Sequence, residues 1–110
     1  MTLPTIVIAK EFSETPAGRH LEDGPRTGQL FRESVLLPLL ATHDVILIDL
    51  DGTLGYGSSF LEEAFGGLVR HGIPETELRR RIQIKSERKF YADRIWHYVA
   101  EAAAEIKKKA

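Results

Sequence analysis

The chain has 110 residues, of which 43 % are hydrophobic and 28 % are charged, so it is long enough for one globular domain but not for two. The absence of cysteine excludes disulfides, thiolate metal sites and thiol nucleophiles. The formal net charge of -1 is unevenly distributed, because residues 1–65 sum to -6 and residues 66–110 sum to +5. We therefore predict a single domain over residues 1–110, with an acidic first part and a basic second part.

The N-terminal segment lacks the basic stretch and the long apolar core of a signal peptide. No run of 18 apolar residues is present, which is the length that a membrane-spanning helix requires. We expect a cytoplasmic protein with no membrane partner.

The first half of the chain predicts two strands joined by a helix. Thr5 to Phe12 and Asp44 to Leu50 both contain consecutive β-branched and aliphatic residues, which is typical of strands covered on two faces. Thr27 to Leu40 has apolar residues at helical spacing, and Pro38 is expected to end or kink that helix. A short extra strand at Arg19 to Leu21 would lie at the sheet edge.

The second half predicts a helix from Ser58 or Ser59 to a stop at Gly72, and then a short helix, a strand and a long C-terminal helix. The last three are expected at residues 75–80, 81–85 and 90–107. Strands separated by helices connect through crossovers, which favours parallel pairing. The predicted architecture is α/β, with a mixed four-stranded sheet that is largely parallel at its centre and helices packed on it.

Asp49-Leu50-Asp51-Gly52-Thr53 at the end of the second strand carries the signature of phosphatases that use an aspartate nucleophile. In that chemistry Asp49 attacks phosphorus, Asp51 acts as general acid and base, and Mg²⁺ neutralises charge. A magnesium-dependent phosphatase similar to the haloacid-dehalogenase superfamily is therefore one alternative. The chain lacks the later acidic pair of such enzymes, so we favour the other interpretation, in which the aspartates shape the strand end and the turn.

The serine pair follows directly, at the predicted helix start. Ser59 and Glu62 have the spacing of a capping box, which would place both serine hydroxyls beside free amides at the positive end of the helix. Helix starts of this kind favour anions, including a phosphate carried on the serine. Capping alone is the competing explanation for Ser58 and Ser59.

The strand, the loop and the double serine together resemble the centre of STAS domains, the fold of bacterial anti-sigma factor antagonists. Asp49-Leu50-Asp51-Gly52-Thr53 and Gly57-Ser58-Ser59-Phe60-Leu61 match that pattern in type and spacing, except that Gly57 replaces the usual aspartate and Phe60 a glycine. The chain is similar over most of its length to bacterial STAS-like domains of unassigned function. The matching runs are residues 8–13, 16–19, 28–32 and 55–68.

The resemblance implies a non-enzymatic regulatory module for signalling that binds a protein partner, namely an ATP-binding protein of the histidine-kinase-like fold. It also implies that the partner phosphorylates Ser58, with Ser59 as the second choice. The expected partner-binding residues are Gly55, Tyr56, Gly57, Ser58, Ser59 and Glu62. Tyr56, between two glycines, is either an interface anchor or the filling of a groove beside the helix.

No cofactor, metal site or nucleic-acid partner is predicted. The four histidines have no ligand spacing, and the cluster Arg79-Arg80-Arg81 contains interspersed acidic residues, as a solvated face does. Arg19 and Arg32 are expected to pair with Asp49 or Asp51, or with an anionic ligand. The last alternative is a structural domain that forms a homodimer through its C-terminal helix, with Trp96 as an exposed contact.

Overall fold

The computed structural model describes residues 3–109, so the domain boundaries at 1 and 110 lie outside it. Three strands form one sheet: β1 (Thr5–Val7), β2 (Ile46–Asp49) and β3 (Ile82–Lys85). They are parallel and lie in the order β1-β2-β3, so β2 is central and all three end at the same edge. This edge is where open α/β sheets present their loops.

Five helices accompany the sheet in the described residues. The short helix α1 (Ile8–Glu11) follows β1 directly, and α4 (Glu75–Arg81) leads directly into β3. The two helices between them are each continuous with a π-helical middle: α2 consists of Gly28–Phe31, Arg32–Leu36 and Leu37–Thr42, and α3 consists of Ser58–Leu61, Glu62–Gly66 and Gly67–Arg70. Helix α5 (Lys89–Lys109) has 21 residues, and no helix in residues 3–109 is both long and apolar enough to span a bilayer.

The helices cover one face of the sheet. Parallel strands in sequential order with right-handed crossovers place both connecting helices on the same side. Ile46 and Ile48 of β2 are buried on that side, whereas Leu47 and Asp49, which point to the other side, are half-buried. The predicted burial on two faces is complete on one face of β2 only, since burial alternates along the strand.

The predicted fourth strand is absent from the described residues, and the sheet is parallel rather than mixed. Arg19 to Leu21 leads instead into a 3₁₀ turn at Leu21–Asp23. The amide of His20 donates to the Asp23 carboxylate at 2.8 Å, a local bond that takes the place of a ladder bond. The first strand is also shorter than predicted, because the chain coils into α1 at Ile8.

Pro38 does not end α2, which continues to Thr42. Proline has no amide hydrogen and its ring crowds the preceding turn, so it disturbs an ordinary α-helix. Here the turn before it, Arg32–Leu36, is wound as a wider π-helix. At the other end Thr27 caps the helix, accepting from the Leu30 amide at 3.2 Å.

The core lies between the sheet and the helices, and α5 closes it. The buried face of α5 carries Tyr91, Ile95, Val99 and Ala102, whereas Ile106 near the end of this helix is exposed. Helix α3 is the most deeply buried of the long helices, and every residue from Glu63 to Val69 is buried. A site at the start of α3 is therefore held by a rigid element.

The outer edge of β1 is partly blocked by the chain itself. The Glu11 carboxylate accepts a hydrogen bond from the Val7 amide at 2.6 Å. Since Leu47 of β2 bonds to the carbonyl of Pro4, alternate residues of β1 face β2, and the Val7 amide points away from it.

Candidate functional site

Helix α3 begins at Ser58, as predicted, but the predicted capping box is wrong. Gly57 is the N-cap residue, with extended backbone angles of φ -71° and ψ 148°, and within residues 3–109 no side chain caps this helix start. Ser58 and Ser59 are both exposed. Neither hydroxyl forms a capping bond, so neither has a role in holding the helix end.

Glu62 does not return to the helix start because two arginines bind its carboxylate. Arg70 donates to it at 2.6 and 3.0 Å, and Arg19 donates to it from the loop before α2. Burial alone raises the pKa of Glu62, but the hydrogen bonds from Arg70 and Arg19 outweigh burial and hold the pKa below its usual value. The carboxylate of this predicted partner-binding residue is already used inside the domain.

Arg32 and Glu63 form a second, deeper ion pair. Arg32 Nη1 lies 2.6 Å from Glu63 Oε2, and each side chain is only 10 % exposed. Arg19 and Arg32 thus bind the glutamates of α3, and the predicted pairing with Asp49 or Asp51 is wrong. The close crossing of α2 and α3 explains why Arg32 pairs with Glu63. Gly28 leaves space for the backbone of α3, and Gly67 leaves space for the Arg32 guanidinium.

Tyr56 is part of the core, with 7 % of its surface exposed, so it is not a surface anchor. Its hydroxyl donates to the Leu50 carbonyl at 2.7 Å, and its ring packs edge-on against Tyr91 at 5.1 Å. Burial raises the pKa of Tyr56 to about 12. The groove-filling interpretation of Tyr56 is the one that the structure supports.

The two aspartates of the phosphatase-like motif hold the end of the sheet together. Asp49 Oδ1 accepts from the Asp51 amide at 2.9 Å, and Asp51 Oδ1 accepts from the Glu87 amide at 2.8 Å. Lys85, at the end of β3, lies 3.4 Å from Asp49 and 3.5 Å from Asp51, and these carboxylates raise its pKa. Each aspartate therefore has a structural use, and Gly52 turns the chain with a φ of +96°.

The loop between β2 and α3 is fixed against the start of α5. The Tyr56 amide lies 3.3 Å from the Tyr91 hydroxyl, and a Cβ atom on Gly55 would lie 3.2 Å from the same oxygen. A cleft of about 220 Å³ separates residues 50–53 from residues 86–88 and Tyr91. The two segments share one surface at the carboxyl end of the sheet.

Leu54, which is not among the individually predicted site residues, is the most exposed of the large apolar residues in the described part of the chain, at 80 %. Its amide donates to the Glu14 carbonyl at 2.9 Å, so the backbone of the loop tip is held while the side chain extends into solvent. Phe90, which precedes the cleft-lining Tyr91 in the chain, is 48 % exposed. The signal for Leu54 was an apolar residue inside a glycine-rich turn, where no strand or helix periodicity explains it.

The arginine cluster at residues 79–81 has internal partners. Arg79 pairs with Glu75 and Arg80 with Asp44, while Arg81 donates to the Leu40 carbonyl at the end of α2.

Residues 3–109 contain no group of three or more His, Asp or Glu side chains arranged to hold a metal ion.

Trp96 is half-buried rather than fully exposed, and the Arg79 guanidinium lies 5.0 Å from its ring. The exposed-contact prediction for Trp96 is therefore wrong. Packing of this kind stabilises the contact between α4 and α5.

A parallel sheet with helices on one face, and a serine pair exposed after its central strand, define a STAS-like α/β domain. The model of one family, the STAS-like domain of unknown function (DUF4325), matches residues 27–89, which is more than half of the chain. The chain belongs to this family. No curated protein and no solved structure matches the chain.

Proposed function

We propose that this domain is a regulatory protein-binding module that works like an anti-sigma factor antagonist, with Ser58 as a phosphorylation switch. The partner would be an ATP-binding protein of the histidine-kinase-like fold, which phosphorylates the domain and is released by the modification. Ser59 is the second choice for the phosphorylated residue. The surface involved is the loop from Gly52 to Ser59.

The observation that carries this proposal is the free hydroxyl of Ser58. It is exposed at the first residue of α3 and does not cap the helix, so its modification would break no capping bond of the fold. Gly57 before it is exposed, and a Cβ atom added there would meet nothing within 4 Å. An approaching kinase would find the hydroxyl on an open and rigid helix start.

The electrostatics of the helix start favour the modified state of the domain itself. A phosphoserine adds nearly two negative charges, and the amino end of a helix stabilises such charge by about 0.3 to 1 kcal/mol. The same charge weakens docking, because binding would remove water from the phosphate or bring it against like charge on the partner. Phosphorylation would therefore release the partner without unfolding the domain.

The test is incubation with the candidate ATPase and ATP, followed by intact-mass analysis. We expect one phosphoryl group on the wild type, none on Ser58→Ala, and one on Ser59→Ala. An unmodified wild type would remove the switch. Titration of the ATPase with the unmodified domain by calorimetry tests the binding role separately, and the phosphorylated form should bind more weakly.

A further inference from the structure

We propose that the partner surface extends across the cleft onto the start of α5, and that it recognises an acidic protein segment carrying an apolar side chain. The surface, here called the basic-apolar patch, consists of Leu54, Arg88, Lys89, Phe90 and Arg94. This inference deepens the proposed function and rests on it for the location of the site, but it names a partner chemistry that the serine switch does not.

Leu54 and Phe90 provide the apolar part of the patch. Each is next in sequence to a residue that lines the cleft, Leu54 to Thr53 and Phe90 to Tyr91. The two segments are tied together by the bonds of Asp51 to Glu87 and of Tyr56 to Tyr91. Exposed apolar side chains on a backbone that is already fixed lose little entropy on binding, which is a property of interface anchors.

Arg88, Lys89 and Arg94 provide the charge. All three are exposed, and in the part of the chain that the structure describes none of them forms an ion pair, in contrast to the paired arginines at 79–81. The first turn of α5 also contains no acidic residue, although the positive end of a helix dipole favours one. Basic residues at this position oppose local stability, and such departures are expected at binding surfaces.

Charge complementarity favours an acidic partner segment, and the side chains favour protein over nucleic acid. Leu54 has no ring on which a base can stack, and the Arg94 guanidinium already lies 5.5 Å from the centre of the Phe90 ring. Two exposed carboxylates, Glu87 and Asp93, lie in the same segment, so the basic side chains outnumber the acidic ones by three to two. An acidic partner also explains the direction of the switch, since a phosphate on Ser58 would add a like charge to that interface.

The probe is a synthetic peptide of alternating Asp and Glu around one Leu and one Phe, titrated into the ¹⁵N-labelled full chain. We expect amide shifts at Leu54 and at residues 88–94. The triple variant Arg88→Gln/Lys89→Gln/Arg94→Gln should weaken binding by about tenfold or more, and Leu54→Ala by about fivefold. The matched controls are Lys107→Gln/Lys108→Gln/Lys109→Gln, which removes the same charge, and Leu21→Ala, which removes another exposed leucine; each should change binding less than about twofold.

Four results would overturn the inference: shifts that avoid the patch, equal weakening by the two triple variants, equal binding of a peptide with serine in place of Leu and Phe, or displacement of the peptide by a single-stranded oligonucleotide that binds the patch more tightly. The kinase assay on Ser58 is independent of this peptide. Failure of the phosphorylation experiment and failure of the patch are therefore distinguishable.

Discussion

The Arg32 guanidinium joins two helices through a single residue of α3, because its Nη1 atom donates to both the side chain of Glu63 and its backbone carbonyl, at 2.6 and 2.8 Å. Both side chains are nearly buried. Removal of Arg32 would leave Glu63 with only the longer contacts of 3.4 Å to Arg19 and Arg70, and loss of one member of a buried ion pair costs more than the pair itself contributes.

We predict that Arg32→Met lowers the free energy of unfolding by about 3 to 5 kcal/mol, measured by urea denaturation. The matched control is Arg70→Met, which breaks the more exposed pair with Glu62 and should cost about 1 kcal/mol or less. The double variant Arg32→Met/Glu63→Met should recover part of the loss. Equal destabilisation by the Arg32 and Arg70 variants would contradict the structural role given to Arg32.

Gly28→Ala should destabilise the domain by about 2 kcal/mol, because the new Cβ atom would lie 2.5 Å from the Phe60 carbonyl oxygen and would push α2 away from α3. Gly57→Ala, where the added atom meets nothing within 4 Å, should cost clearly less. Thermal unfolding of the two variants compares them directly. A larger loss for Gly57→Ala would show that the helices do not cross at Gly28.

Tyr56→Phe should lower the free energy of unfolding by about 1 to 3 kcal/mol at neutral pH, since the Leu50 carbonyl loses its buried donor. The pKa of Tyr56 is about 12 in the folded state and 10.0 in its ordinary state, so the neutral form stabilises the fold fully below pH 10. That contribution decreases as the pH rises from about 10 to about 12.

The stability difference between wild type and Tyr56→Phe should therefore shrink over this pH interval. Denaturation at a series of alkaline pH values checks this. Absorbance titration of the folded protein should detect one tyrosine, Tyr56, that ionises at higher pH than an ordinary tyrosine. A difference that stays constant up to pH 12 would contradict the assigned burial.

The two aspartates give a prediction about catalysis. Since Asp49 and Asp51 each accept a backbone amide and share Lys85, we expect no turnover of a generic phosphomonoester in the presence of Mg²⁺ above the background of Asp49→Asn. Chromogenic phosphate release measures both. A wild-type rate that disappears in Asp49→Asn would make the chain a phosphotransferase and reverse our ranking of the two functions.

The helices could be predicted from the sequence because each long one has an apolar stripe at regular spacing, as in the positions of Tyr91, Ile95 and Val99 of α5. The burial of the strands was overestimated, because an aliphatic run does not indicate how many faces of a strand are covered. The start of α3 was predicted at Ser58 or Ser59 from a capping box, and the helix begins at Ser58 although that box does not form. The cap of this helix was predicted wrongly, because the Glu62 carboxylate binds Arg19 and Arg70 and does not return to the helix start.

Those partners could not be predicted, as they depend on contacts between distant parts of the chain. Arg19 lies 43 residues from Glu62, and Arg32 lies 31 residues from Glu63. The burial of Tyr56 likewise depends on Tyr91, which follows 35 residues later. The sequence does contain one sign of the helix crossing, namely the glycines at 28 and 67, whose effect becomes clear only when the two helices are placed together.

The bond between Glu11 and Val7 bears on how this protein behaves at high concentration. A sheet of three short strands has two open edges, and such edges invite pairing with other molecules and lead to aggregation. At β1 the outward Val7 amide is already occupied by a carboxylate, which also brings a negative charge to the edge. At β3 the exposed side chains of Gln83 and Lys85 hinder the same pairing. Glu11→Ala should therefore increase the aggregation of this domain at high concentration.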